Sequence, residues 1–207
     1  MGQVVAMRAI PGSGKSSLAK QLVAKAKAEG KTTATCSADD FFYELGGGTY
    51  AFDRTKISDA HKYCFKKFIK AIGDNIDLII VDNTNLNAWE VSPYKTYAEA
   101  HDYTFSINEV VADQAEAFKR QQHGVPEFAH KSMGDSFNKS DIPPWWDKKR
   151  MVSKTDEHGQ PTFEEEVKLP PAPSTPDPQL DLPFEKKKAS LFLLKIANIF
   201  SERYRLD

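Results

Sequence analysis

Two rhythms of apolar and polar positions run along the chain. Val4-Val5-Ala6-Met7 is an unbroken apolar run, and Leu78-Ile79-Ile80-Val81 is another, flanked by Asp77 and Asp82. Runs of this kind predict parallel strands buried on both faces. Thr32–Cys36 is short and rich in β-branched residues, and it predicts a third strand. In Tyr103–Val111 the positions Tyr103, Phe105 and Ile107 alternate with Thr104, Ser106 and Asn108, which predicts a fourth. Between these runs the spacing changes to three and four residues. Leu18, Ala19, Leu22, Val23 and Ala26 mark one helix; Ile57, Ala60, Cys64, Phe65, Phe68 and Ile72 mark another over Thr55–Ile72. A third is expected over Ala88–His101. Two short helices, Asp113–Gln122 and Glu127–Phe137, flank the breaker His123-Gly124-Val125-Pro126. Strands alternating with helices predict an α/β fold with a mostly parallel sheet flanked by helices.

After about residue 140 the pattern changes. Pro143-Pro144-Trp145-Trp146 is too apolar to lie bare and is expected to pack on the domain. Six of the twelve prolines fall between Pro170 and Pro183. From Asp156 to Glu185 there are eight acids and one base, so the stretch reads as extended and linker-like. Ala189–Tyr204 returns to helical spacing through Leu191, Leu194, Ile196, Ile199 and Phe200. The expected organisation is one domain over 1–150, an acidic Pro-rich linker over 151–187 and an amphipathic tail helix over 188–207. Docking of that tail on the same domain is expected, because a wide apolar helix left bare is an aggregation hazard.

Length and composition set limits. A chain of 207 residues that is 40% hydrophobic supports one sizeable core. No run of 18 apolar residues occurs, so no membrane-spanning helix is expected. The first strand begins within a few residues of Met1, which leaves no room for a signal peptide. Cys36 and Cys64 suit neither a metal knuckle nor a disulfide framework. A reducing, cytoplasmic setting is the simplest one. The net charge of −1 is uneven, but residues 1–155 carry 21 bases against 19 acids. So weak an excess does not by itself argue for nucleic acid.

The chemistry concentrates in Ala9-Ile10-Pro11-Gly12-Ser13-Gly14-Lys15-Ser16, between the first strand and the first helix. The loop fits the phosphate-binding pattern, with Ala9 where its strict form has glycine. Gly12 and Gly14 let the backbone curl until its N–H groups face phosphate oxygens. The helix that starts near Lys15 adds its positive end. Lys15 reaches the outer phosphates, the Ser16 hydroxyl can ligate Mg²⁺, and Ser13 and Ser17 flank the cradle. Asp82, at the end of its strand, stands where a second acid orients Mg²⁺. Asp39 and Asp40 follow the Thr32–Cys36 strand, at the edge where open α/β sheets bind ligands; an Asp there also caps helices. Tyr43–Asp53 contains Gly46-Gly47-Gly48 and reads as a mobile loop flanked by Phe41, Phe42, Tyr43, Tyr50 and Phe52. Those aromatics suit base stacking or loop anchoring. Lys62, Lys66 and Lys70 share a helix face, solvated or tracking a phosphate backbone. The two short helices around His123 form a candidate lid. Arg120 on it is the cation that would neutralise charge building up in phosphoryl transfer.

These motifs, over roughly residues 3–140, resemble the polynucleotide-kinase-like P-loop family. They are Ile10–Ser16, Ser37-Ala38-Asp39-Asp40-Phe41-Phe42, Val81-Asp82-Asn83-Thr84-Asn85-Leu86-Asn87, Lys119-Arg120 and His123-Gly124-Val125-Pro126. The resemblance implies a P-loop kinase fold with a lid, and transfer of the ATP γ-phosphate to a hydroxyl, typically a 5′-OH of DNA or RNA. It implies that Lys15 and Ser16 serve ATP and Mg²⁺, that Asp39 takes the acceptor's proton, and that Arg120 is a lid arginine. The chain departs from the phage polynucleotide kinases at Phe42, where they have an arginine toward the acceptor phosphate. It departs again near His123, where they carry a second lid arginine, and nothing here looks like their phosphatase domain. Alternative acceptors are a hydroxymethyl group on a modified base, as in bacteriophage DNA modification, and a small nucleoside or sugar. A nucleotide-hydrolysing switch or adaptor is the reading from another class.

Overall fold

The computed structural model describes residues 1–157 and 160–166. Six strands and six helices follow one another: β1 (Gln3–Arg8), α1 (Lys15–Ala28), β2 (Thr33–Cys36), α2 (Asp39–Leu45), α3 (Ile57–Gly73), β3 (Leu78–Val81), α4 (Ala88–Ala100), β4 (Thr104–Val111), α5 (Gln114–Arg120), α6 (Glu127–Asn138), β5 (Lys148–Thr155) and β6 (Pro161–Glu165). One 3₁₀ turn, Arg54–Lys56, leads into α3. The strands form one sheet in the order β2-β3-β1-β4-β5-β6. All neighbours are parallel except β5 and β6, which form an antiparallel edge.

The apolar runs of β1 and β3 are continuous because both faces of the sheet are covered. Side chains of a strand point alternately to its two faces. Val4 and Ala6 therefore join Ile79, Val81, Phe105 and Ile107 in packing against Cys64, Phe68 and Ile72 of α3 and Val91, Tyr94 and Ala98 of α4. Val5 and Met7 join Leu78, Ile80 and Val110 against Leu18, Ala19 and Ala26 of α1. The result is three layers, helices on each side of a sheet. Each fully buried Val, Ile, Leu or Phe contributes about 1.5–3 kcal/mol relative to exposure. A third cluster lies past the strand ends, where Ile10, Leu86, Ala117 and Phe137 close α5 and α6 onto the loop after β1.

Register places the candidate chemistry on one edge. Ala6 pairs with Val81, and Val81 pairs with Cys36, so β1, β3 and β2 finish nearly level. The chain leaving each strand there is the glycine loop, Asp82 and Ser37–Asp39 in turn. Arg8, 1% exposed, locks this edge. Its Nη1 donates to Glu109 Oε1 at 3.0 Å, and its Nη2 donates at 2.9 Å to the carbonyls of both Leu86 and Phe137. One guanidinium thus joins β1, β4, the loop after β3 and the end of α6. Burial pulls its pKa down, and Glu109 beside it pulls it back up.

Two expectations shift here. The first domain does not stop at residue 150: 151–155 complete β5 and 161–165 form β6, inside the span expected to be a linker. Their acids and polar residues disguised an edge hairpin, whose outer strand faces water. The rest of the linker and the tail helix lie outside the described residues. The paired tryptophans part company: Trp146 packs on the α3/α4 core with Lys95 Nζ over its ring, whereas Trp145 is 80% exposed.

Candidate active site

The loop between β1 and α1 adopts the curl its glycines allow. Gly12 and Gly14 have φ of +78° and +92°, in the left-handed region that side chains avoid. A Cβ on Gly12 would stand 1.9 Å from the carbonyl oxygen of Ala117 in α5, so the loop touches backbone where a methyl has no room. Gly14 lies against Phe163 and Pro161 of β6, so the unforeseen hairpin forms one wall of the loop. Gly14 is also the N-cap of α1, and no acid occupies that helix's first turn. The positive helix end is therefore open to an anion. Ser13 is fully buried, and its hydroxyl has no hydrogen-bonding partner among the described residues.

Two links hold the loop from outside. The Ala9 N–H donates to Thr84 O at 3.0 Å, and Asn85, itself at φ +47°, donates from Nδ2 to Met7 O at 2.8 Å. On the lid side, His130 of α6 is buried and places Nε2 2.9 Å from Pro11 O. A carbonyl can only accept, so Nε2 carries the proton in this contact. His130 was not singled out in the sequence; a lone histidine on a helix has no signal marking its partner.

Lys15 Nζ is ion-paired with Asp82 Oδ1, both largely buried. Asp82 in turn offers its backbone oxygen to Ser37 Oγ at 3.0 Å, and Ser37 Oγ accepts the Asp39 N–H at 3.2 Å. Asn83 Oδ1 accepts the Ala38 N–H at 2.8 Å. A continuous set of contacts thus runs from Lys15 through Asp82 and Ser37 to Asp39. Ser16 and Ser17 fall in the first turn of α1, beside Lys15.

Asp39 opens α2, and its side chain is 42% exposed. Oδ1 accepts the Tyr50 hydroxyl at 3.0 Å. Oδ2 lies 3.8 Å from His123 Nε2, an ion pair only when the imidazole is protonated. The Tyr50 and His123 rings are 4.5 Å apart. Asp39 therefore meets the lid through His123, and Tyr50 from the glycine-rich loop closes on the same carboxyl. Burial and the Asp39 charge both raise the Tyr50 pKa, so the phenol stays a donor. Asp40 turns elsewhere, to Lys67 at 2.6 Å. Arg120 is not brought to Asp39: its Nη1 donates to Thr155 Oγ1 at the end of β5 at 3.0 Å, while its buried Nε has no partner among the described residues. Phe42 is buried among Phe41, Tyr50 and Phe52. The lysine face of α3 is largely neutralised, Lys62 by Asp59, Lys67 by Asp40 and Lys70 by Asp74. His61 on the same helix is exposed. Asn87 is the N-cap of α4, its N–H donating to Glu90 Oε2 at 2.8 Å. Among the described residues no helix is long and apolar enough to cross a membrane, and no three His, Cys, Asp or Glu side chains cluster as a metal cage.

Comparison with known proteins bears on the family and the fold. A family model described as an AAA domain, AAA_33, matches residues 4–131. Human NEDD4-binding protein 2 is 35% identical over 126 residues, 59% of this chain; the chain spans only 7% of that protein's length. Three solved structures share the fold at low identity. Kti12 of Chaetomium thermophilum in complex with ADP-AlF3 has a TM-score of 0.54 at 14% identity, covering 75% of this chain and 92% of that one. The Pnkp1/Rnl/Hen1 RNA repair complex gives 0.53 at 18%, covering 67% and 44%. The Mycobacterium tuberculosis APS kinase CysC in complex with AMPPNP and APS gives 0.52 at 17%, covering 73% and 88%. The α/β fold is that of the P-loop kinases.

Proposed function

The chain belongs to the AAA domain family, and on that premise we propose that it is an ATP-dependent kinase that phosphorylates a hydroxyl of nucleic acid, the 5′-OH of DNA or RNA first among them. The observation that carries the reading is the set of contacts Lys15–Asp82–Ser37–Asp39, which anchors the Asp39 backbone to the same strand edge as the phosphate-binding loop and leaves its carboxylate half exposed. A hydrolase needs only to position water; a carboxylate held this way suits removal of a proton from an alcohol.

The loop fits a triphosphate. Its curled glycines, the open N-terminus of α1 and the unpartnered Ser13 hydroxyl supply donors where phosphate oxygens would lie. Solved relatives in fold were captured with AMPPNP or ADP-AlF3, consistent with adenine nucleotide as donor. Lys15 would exchange Asp82 for the outer phosphates. Ser16 and Asp82 would hold Mg²⁺ together with phosphate and water, since Mg²⁺ takes only one or two protein oxygens in such sites. That ion supplies charge neutralisation between the phosphates when bound. Asp39 then accepts the proton as the acceptor oxygen bonds to the γ-phosphorus and the bridging oxygen leaves with ADP. Until the acceptor arrives, Tyr50 and His123 orient the carboxylate. Arg120 would serve from the lid after leaving Thr155.

One observation favours a second acceptor. Phe42 is buried, so the position where phage kinases carry an acceptor-phosphate arginine offers nothing to a terminal phosphate. A hydroxymethyl group on a DNA base is therefore the second reading. The test is Asp39→Ala with radiolabelled ATP, 5′-OH oligonucleotides and hydroxymethyl-bearing duplex DNA. Transfer should fall by about 10²–10⁴-fold while ATP affinity is kept. Retained transfer, or lost ATP binding, removes Asp39 from the base role.

A further inference from the structure

Beyond Asp39, the surface turns aromatic. Among the described residues, half of the eight exposed large hydrophobic side chains, Tyr43, Leu45, Phe52 and Ile57, come from one short stretch on the Asp39 side. Phe52 is 55% exposed, although the Phe42 ring packs 5.1 Å from it. The Tyr50 ring, whose hydroxyl touches Asp39, lies nearly parallel to Phe52 at 6.5 Å and 5.2 Å from Tyr43. An exposed aromatic surface thus runs directly from the candidate base.

The charges around it complete the pattern. Its acids are engaged: Asp40 with Lys67, Glu44 with Tyr63, and Asp53 Oδ1 with the N–H and hydroxyl of Thr55. Arg54 and Lys56, exposed in the turn after Phe52, have no ion pair among the described residues. Half-exposed aromatic rings beside unengaged cations make the kind of surface that binds unpaired bases and their phosphates.

We propose that Tyr43, Phe52 and Arg54 form a platform on which the unpaired base next to the acceptor hydroxyl stacks, so that the acceptor is a single-stranded nucleic-acid end. This rests on the kinase reading and adds its substrate class. Stacking would draw the terminal nucleotide onto Phe52 and displace the Tyr50 hydroxyl from Asp39 in favour of the acceptor's. A terminal base pair still exposes its outer face, but its base can move onto Phe52 only by unpairing, so blunt ends are poorer acceptors than single strands.

The test uses the full chain, ATP and three acceptors: a 5′-OH oligonucleotide, the same strand with an abasic first nucleotide, and a blunt duplex. Binding by fluorescence anisotropy is measured beside labelling. Loss of the base should raise KM and Kd between about fivefold and a hundredfold, as expected for one stacked base. Phe52→Ala should impose the same penalty on the intact strand and none further on the abasic one, and Phe52→Trp should restore discrimination. Arg54→Ala should weaken every strand equally and flatten the salt dependence. Equal binding of intact and abasic strands by the wild type, or preference for the blunt duplex, overturns the platform even if labelling occurs. Base-sensitive binding without labelling upholds the platform and removes the 5′-OH as acceptor. Binding of no strand overturns the platform, and absence of labelling as well overturns both the platform and the 5′-OH acceptor.

Discussion

Gly12→Ala probes the contact between the phosphate loop and the lid. Gly12 has φ +78°, where an L-residue costs about 1–2 kcal/mol. The new Cβ would stand 1.9 Å from Ala117 O, 2.8 Å from Ala117 C and 2.9 Å from Gln121 N. All three are backbone atoms, and Gln121 N already donates to Ala117 O at 3.1 Å. No side chain can swing away, so α5 or the loop must move, and overpacking of this kind costs about 1–3 kcal/mol. The entropy lost by the unfolded chain returns about 0.4–1 kcal/mol. The net is a destabilisation of about 1–5 kcal/mol. For a chain of this size each kcal/mol lowers Tm by about 2–4 °C, so a fall of about 2–20 °C is expected in calorimetry without nucleotide. Gly47→Ala is the control: φ is +61°, but nothing lies within 4 Å of the new methyl, so only the backbone term of about 1 kcal/mol remains. If Gly12→Ala melts no lower than Gly47→Ala, the loop does not pack on α5 as described.

Arg8→Met should destabilise by about 3–5 kcal/mol in urea titrations, because Glu109 is left buried with only Lys148, at 3.8 Å, for compensation; Arg8→Met with Glu109→Leu should recover most of the loss, and a double variant no better than the single one would show that the pair is not the cause. Alkaline pH should also destabilise. Burial pushes the Cys36 thiol from 9.0 up to about 12 and raises Cys64 and Tyr94 in the same direction. The native state keeps protons that the unfolded chain releases, so this stability is complete below pH 9 and is lost as pH rises toward 12, at up to about 1.4 kcal/mol per pH unit per group. Urea midpoints should fall steadily from pH 8.5 to 10.5, and Cys36→Ala should make the slope shallower; equal midpoints across that range would contradict the burial argument.

The parallel core was readable because its signals are local. A strand buried on both faces must be continuously apolar, and a helix with one buried side must repeat its apolar residues at three and four. The glycine loop was readable for the same reason: φ above zero at Gly12 and Gly14 is a demand met within a few residues. The β5–β6 hairpin was not readable. Thr155 and Phe163 sit among lysines and glutamates that look like a solvated linker, and only pairing of β5 with β4 turns them into sheet.

What the amino-acid order decided alone was the layered α/β scaffold, the cradle from Ile10 to Ser16 and the acids after β2 and β3, since each depends on neighbours along the chain. Which carboxyl meets which partner was decided in three dimensions. Tyr50 and His123 converge on Asp39 from 11 and 84 positions away, His130 reaches Pro11 across 119, and Arg120 is taken by Thr155 instead. Periodicity tells which face of an element is buried; it carries no record of which distant side chain will stand opposite, because that is set by the packing of whole helices on the sheet.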